Sequence, residues 1–399
     1  METQVVSATG PDIKRLVRDL ELDFKPNFLF LFADARFDQK ALLKNLKKKF
    51  KSQMIGCTGM TQIDDTSVWE NKAVIAGIKT DKFKVFTFAG PIRTSKEIAS
   101  GEALGKKIIS DVVFGKEFSA TYVRLKNKVI RVMAHALITF IDPLAGDGDA
   151  FVKGLLNVLG PAFPILGAAA GDNKEFKRTY QYCNWNLYSK SATVALVESE
   201  TPISFGVAHG WKPISPPHLV TKSKGNIIYR INNKPAIKIY EDFFGKSAEE
   251  LQKVALGRLA LENPLGIPTF AGQYCLRHPI IARRDGAIVM SGTVPEQTVV
   301  RIMGASLKDN LEAAKKAAKE ALLGLGRSKP ALCLIFDCGA RAILRGLQGY
   351  KKEYNVIKSV IGKKVPTAGF HTYGEIAPIF NGPSRLLNET CVILLIGGG

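Results

Sequence analysis

The sequence predicts an α/β protein of two lobes, with mixed sheets, helices packed on them, and a βαβ unit repeated about three times. Three observations carry this. Continuous apolar runs ending in aspartate recur at Phe28–Asp34 (FLFLFAD), Ala136–Asp142 (ALITFID) and Ala331–Asp337 (ALCLIFD). Each is followed by apolar residues at helical spacing. Each helix is followed by a short run closing on glycine (MIGCTGM, PILGAAAGDN, PTAGFHTYGEI) and then by an apolar strand (AVIAGI, ATVALVE, CVILLIG). A continuous apolar run suits a strand buried on both faces. Strand, helix and strand in succession imply parallel pairing through a right-handed crossover.

The chain opens on a polar segment with an amphipathic helix marked by Ile13, Leu16, Val17 and Leu20. The first unit's helix carries Leu42, Leu43, Leu46 and Phe50 on one stripe, and the second's carries Phe151, Val152, Leu155, Leu156 and Leu159. The third, from Arg341 to Gly362, is expected in two pieces around Gly349. Antiparallel segments lie between the units, at 82–90, 120–140 and 225–245. Hairpin turns are expected at Asn232-Asn233 and Asp285-Gly286. A long helix is expected over Ser306–Leu325, with Leu307, Leu311, Ala314, Ala318, Ala321, Leu322 and Leu325 facing the core. The proline-rich HGWKPISPPH (His209–His218) marks a boundary, giving segment 1–24, half 25–211 and half 212–399.

With 399 residues, 46% of them hydrophobic, the chain has enough apolar side chains for two cores. The formal charge of +20 comes mostly from lysine, as in KNLKKKFK (Lys44–Lys51) and EAAKKAAKEALLGLGRSK (Glu312–Lys329). On helices these read as solvated faces; the sharper reading is a surface for nucleic acid or an anionic membrane. No known reader motif accompanies them and Phe50 is the one aromatic residue among them, so nucleic acid is not the expected partner. The six cysteines show no C-x-x-C spacing, and no apolar run is long enough to cross a bilayer. A reduced, cytoplasmic protein with free thiols and no membrane span is expected.

In open α/β sheets, ligands gather outside the carboxyl ends of strands. The three aspartates and three glycine turns fall at such ends. Each aspartate also suits the plainer task of capping the helix that follows it.

These segments together resemble the FIST family, a sensory module of N- and C-terminal domains. The resemblance spans about Phe28 to Gly397. It rests on GCTG (Gly56–Gly59), LGAAAGD (Leu166–Asp172) and AHGW (Ala208–Trp211) in the N-terminal half. In the C-terminal half it rests on NPLGIP, LRHPI, DGAIVMSGTVPE, FDCGAR and GFHTYGEI, in that order. The resemblance implies an intracellular small-molecule sensor, with amino acids or their derivatives as ligands and, in some members, haem. The chain leaves no room for a fused output module, so signalling to a separate protein is expected. The family's last strand often begins with a histidine-containing phrase; here Asn388 stands near that place.

The candidate ligand-binding residues are Gly56, Cys57, Thr58, Gly171, Asp172, His209, Cys338, Arg341, His371, Gly374 and Glu375. Thr58 and the glycine backbones beside Cys57 suit an anion, or Cys57 is simply small enough for a tight turn. Cys338 and Arg341 open a helix that could face a carboxylate or phosphate, or Arg341 pairs with Asp337. His209 is a candidate ligand-binding or metal-binding imidazole, or a hydrogen-bonded histidine at a junction. His371, Tyr373 and Glu375 alternate onto one face of an extended chain, and Gly374 suggests a bulge or close ligand approach. For an amino-acid ligand, Arg341 suits its carboxylate and Glu375 or Asp172 its amine. The expected function is a stand-alone sensor with its ligand in a cleft between the halves and no required cofactor. The alternatives are a haem-binding gas sensor, a cysteine-dependent enzyme using Cys57 or Cys338, and a basic nucleic-acid-binding or scaffold protein.

Overall fold

The structure is a computed structural model that describes residues 1–112, 120–125, 128–161, 163–253, 261–269, 272–379 and 382–398. The repeated unit is present three times. In the first copy a lead strand (Phe28–Asp34), a helix (Gln39–Lys49), a middle strand (Gln53–Gly59) and a closing strand (Lys72–Lys79) follow in order. The second copy uses Lys128–Ile141, Gly148–Leu159, Ile165–Ala169 and Ser191–Ala208. The third uses Pro330–Cys338, Gly339–Ile361, Thr367–Thr372 and Cys391–Gly397. In every copy the middle strand runs parallel to the lead strand. The closing strand runs antiparallel to it on the other side.

Glycine fixes the register at the same point each time. Gly56 lies opposite Leu31, Gly167 opposite Thr139 and Gly369 opposite Ile335. A Cβ on these glycines would stand 1.9, 1.9 and 2.0 Å from the facing carbonyl oxygen. No other residue fits so close an approach. Aligned on these glycines, Asp34 and Asp142 correspond to Cys338, one residue beyond Asp337. The third aspartate is therefore out of phase with the other two, and its side chain leaves the opposite face of its strand. The same alignment makes Phe32, Phe140 and Phe336 equivalent. Their rings meet at centroid distances of 5.5, 6.3 and 5.7 Å, mostly edge to face, with Phe370 touching all three. The centre of the core is thus built from one aromatic per copy.

The first copy lies in a six-stranded sheet whose edge is Glu2–Thr9, paired with Lys72–Lys79. This strand was hidden in the sequence by its polar residues. The second and third copies share a twelve-stranded sheet, joined where Ser191–Ala208 pairs with Cys391–Gly397. That sheet runs through both sequence halves. Between these copies the chain builds a separate nine-stranded antiparallel sheet, from Lys212 to Gly304. This inserted lobe has its own core of Val220, Ile228, Tyr240, Leu265, Ile288 and Ile302.

Three local expectations are corrected. The caps of the first two helices are Asp38 and Asp147, not Asp34 and Asp142; Asp142 caps only the short turn Pro143–Ala145. The long third helix breaks at Gly346 (φ 61°), where the backbone is left-handed, rather than at Gly349. The helix Leu307–Gly324, capped by Ser306 and Asp309, turns alanines to the core while Leu307 is exposed. The reason is distance: a Cβ on Gly206 would lie 1.9 Å from Ala317 O, so only small side chains fit between helix and sheet. The hairpin turns are as expected, with positive φ at Asn232, Asn233 and Gly286.

Candidate functional site

The three glycine turns converge and hydrogen-bond to one another. Gly171 N donates to Thr58 O (2.9 Å), Met60 N to His371 O (2.9 Å), and His371 N to Thr61 O (3.0 Å). Ala169 N donates to Gly374 O (2.7 Å) and Tyr373 N to Ala169 O (3.2 Å). Gly56, Cys57, Thr58, Gly171, Asp172, His371, Gly374 and Glu375 are therefore brought to one region from all three copies. Arg341 and Cys338 join it from the start of the third helix, and His209 from the end of the strand Ser191–Ala208.

Several of these groups are already engaged. Asp172 accepts from the backbone N–H of Phe176 (2.9 Å), Lys177 (2.7 Å) and Arg178 (2.8 Å) and from Tyr373 Oη (2.6 Å). Its carboxylate holds the 173–178 loop, in which Asn173, Lys174 and Phe176 have positive φ. Thr58 Oγ1 accepts from Tyr180 N (3.1 Å). Cys57 is fully buried in the central core, and burial pushes its thiol well above the ordinary range.

Arg341 is fully buried and its donors are taken up by the protein. Nε donates to Asp337 Oδ1 (2.8 Å), and NH1 to His209 O (2.6 Å) and Asn310 Oδ1 (3.0 Å). NH2 donates to Glu353, which also pairs with Arg345. No donor is left for an outside carboxylate, so the geometry supports the pairing role for Arg341 rather than the ligand-gripping one. Burial opposes ionisation of Asp337, but Arg341, His371 and Arg345 outweigh it and hold the carboxyl well below its usual range. Asp337, Glu353 and Cys391 offer ligand atoms within 4.8 Å of one another. The Arg341 and Arg345 guanidiniums already supply the positive charge there, so this is an ion-pair network.

His371 shares a hydrogen bond with Thr61 Oγ1 through Nδ1 (2.5 Å) and faces Asp337 Oδ2 through Nε2 (3.3 Å). His209 accepts at Nδ1 from Trp211 N (2.9 Å); burial and then Arg341 push it down to about 4, so it is neutral. Glu375 is fully buried, accepting from Thr372 Oγ1 and from Thr390 N (3.2 Å) and Oγ1 (2.6 Å). Burial pushes it up to about 8 in spite of those hydrogen bonds. Cys338 is buried beside Glu375 and Glu389, and burial, then these carboxyls, push its thiol up.

The inserted lobe covers this region. Buried Arg277 donates from NH2 to Asp149 Oδ2 (2.8 Å) and from NH1 to Leu386 O (2.9 Å). Thr293 Oγ1 donates to Asp147 Oδ2 (2.6 Å) and Ser291 Oγ to Asn388 Oδ1 (2.6 Å). His278 Nδ1 reaches to 3.6 Å from Glu389 Oε1. Sequence reasoning passed over Glu389, looking instead at Asn388. The available signal was three polar residues, Asn388-Glu389-Thr390, set between an apolar strand end and the buried last strand.

Haem requires an imidazole nitrogen open to an apolar cavity. His371, His218 (to Asn232), His278 and His135 (4.0 Å from Glu198) all have side-chain partners. His209 Nε2 has no hydrogen-bond partner among the described residues, but it adjoins the Arg341 cation. The residues present do not fit a haem.

Three α/β copies whose turns converge under an inserted lobe define the architecture, with its polar groups gathered at one junction. A FIST N domain matches residues 27–234 and a FIST C domain residues 236–378. The chain belongs to the FIST family, whose domains are small-molecule sensory modules. It is 22% identical over 244 residues to an uncharacterised protein of Methanocaldococcus jannaschii, covering 55% of this chain and 47% of that one. It is 26% identical over 184 residues to one from Mycobacterium tuberculosis strain H37Rv, covering 43% of this chain and 45% of that one. The chain thus spans about half the length of the curated relatives it matches. Among solved structures, PurLQS from Thermotoga maritima aligns at a TM-score of 0.21 and 9% identity over 99% of this chain and 72% of that one. Among the described residues, no helix is long and apolar enough to cross a membrane.

Proposed function

We propose that this chain is a sensory protein of the cytoplasm. It binds a small molecule, of the amino-acid class or a related metabolite, between the inserted lobe and the converged turns. A separate protein receives the signal. The observation that supports this reading most is the concentration of buried ionisable groups at one junction of all three copies with the lobe. Structural needs alone rarely gather so many perturbed groups at the ends of strands. The candidate cysteines speak against thiol chemistry, since a nucleophile needs a lowered pKa and both thiols are buried and raised. The lysines at 44, 47, 48 and 49 lie exposed on one helix, as a solvated face does.

A thermal-shift screen against amino acids, nucleotides and haemin tests the proposal. A ligand at a hundred times its Kd stabilises by about 2.7 kcal/mol. At least one small molecule is expected to raise the melting temperature. A flat response across the screen would remove the reading, and a Soret band with haemin would replace it.

A further inference from the structure

One buried carboxylate at the junction has no hydrogen-bonding counterpart. Glu389 is fully buried, and neither of its oxygens has a hydrogen-bond partner among the described residues. Its backbone is left-handed (φ 57°), a conformation that a non-glycine side chain rarely adopts. A buried carboxyl without a hydrogen bond and a strained backbone at one residue are both unfavourable to the fold. Groups kept under such conditions serve something other than stability.

The neighbours of Glu389 define what it can receive. Glu375, from the strand Glu375–Pro378, adjoins it and raises the cost of a second negative charge. Arg341 and Arg345, from the third helix, face it but are tied to Asp337 and Glu353. Cys338 lies on the same side. His278, from the inserted lobe, comes to 3.6 Å, beyond hydrogen-bonding distance. The site has two carboxyls, and among the described residues His278, at 3.6 Å, is the basic side chain paired with Glu389. Among the described residues only Asp337, Glu353 and Cys391 bring three ligand atoms within 4.8 Å of one another. Glu389, Glu375 and His278 are thus too widely spaced to close on one metal ion. Diverging N–H donors on an organic ammonium group suit such spacing, because each donor can reach a different acceptor.

We propose that Glu389 is the recognition carboxylate for a ligand's ammonium group, with Glu375 beside it as second acceptor and His278 closing the site from the lobe. This rests on the sensory reading above and names the part of the ligand that the site recognises. Because Glu389 is enclosed, entry requires the lobe to part at the His278 and Ser291 contacts.

The test is a thermal-shift titration of the full chain with L-amino acids, putrescine and agmatine, each beside a matched compound lacking the amino group. Wild type, Glu389→Gln and the apolar Glu389→Met are compared. An amine probe is expected to raise the wild-type melting temperature while its deaminated match does not. Both variants are expected to need at least tenfold more probe. Without probe they are expected to melt at or above the wild-type temperature, since a buried acid without a hydrogen bond has been removed. Binding retained within twofold in the variants, or equal shifts from deaminated compounds, would overturn this assignment and leave the sensory reading standing. Variants that melt several degrees lower or fail to fold would make Glu389 structural, which also overturns it. No shift of the wild type by any probe would count against the sensory reading itself.

Discussion

Deleting the Asp149 carboxylate tests how the inserted lobe is held. Arg277 is fully buried, and Asp149 is its counter-ion at 2.8 Å. Its remaining donors face the carbonyls of Leu276, Leu386 and Thr293, which carry no net charge. Asp149→Ala would strand the guanidinium in the interior. Breaking a buried pair by removing one partner costs about 3–5 kcal/mol. Arg385, the second partner at 3.0 Å, is about a third exposed and can turn to water, so it adds little. Asp149→Asn keeps an acceptor and should lose less. The assay is urea denaturation at pH 7 followed by tryptophan fluorescence, since buried Trp211 clusters with Leu276 beside the clamp. Burial would raise the Asp149 pKa, but Arg277 and Arg385 outweigh it and lower it. The stabilisation is therefore present above the unfolded carboxyl's pKa and disappears as pH falls through the folded value, so wild type and variant should converge in acid. A D149A protein within about 1 kcal/mol of wild type at pH 7 would refute the charge clamp, because a buried unpaired guanidinium cannot be that cheap.

Three further outcomes are expected. Burial pushes Glu375 up to about 8 in the fold from an ordinary 4.5, so the folded state holds the extra proton between these values and stability falls as pH rises through that window. Urea midpoints across pH 5–8 should slope for wild type and flatten for Glu375→Gln; equal slopes would refute the burial of this acid. Gly369→Ala places a Cβ 2.0 Å from Ile335 O and should cost about 3 kcal/mol or more, whereas Gly398→Ala, with its nearest contact at 3.4 Å, should melt near wild type. Iodoacetamide at neutral pH should leave all six buried cysteines unlabelled until urea unfolds the chain; rapid native labelling of Cys57 or Cys338 would reopen thiol chemistry.

The repeated unit was legible because its signals are local. A seven-residue run ending in aspartate, a helical stripe and a glycine turn each declare themselves within a short window. The phase of the third copy was not legible, since Asp337 in the sequence looks like Asp34 and only strand pairing shows that Cys338 takes its place. Glu2–Thr9 was missed because an edge strand half-exposed on both faces carries no continuous apolar run. Glu389 was missed because a buried carboxyl looks the same in sequence as an exposed one.

The amino-acid sequence by itself determined the α/β class, the three copies, and the residues that stand at the strand ends. Apolar periodicity and glycine placement are properties of neighbouring residues, and they need no folded partner to be read. Tertiary structure decided which of those end groups are occupied. Arg341 reaches a carbonyl 132 residues away at His209, and Asp172 reaches Tyr373 across 201 residues. Whether a charge is satisfied or left waiting depends on what the fold brings within 3 Å of it, and no local pattern carries that information.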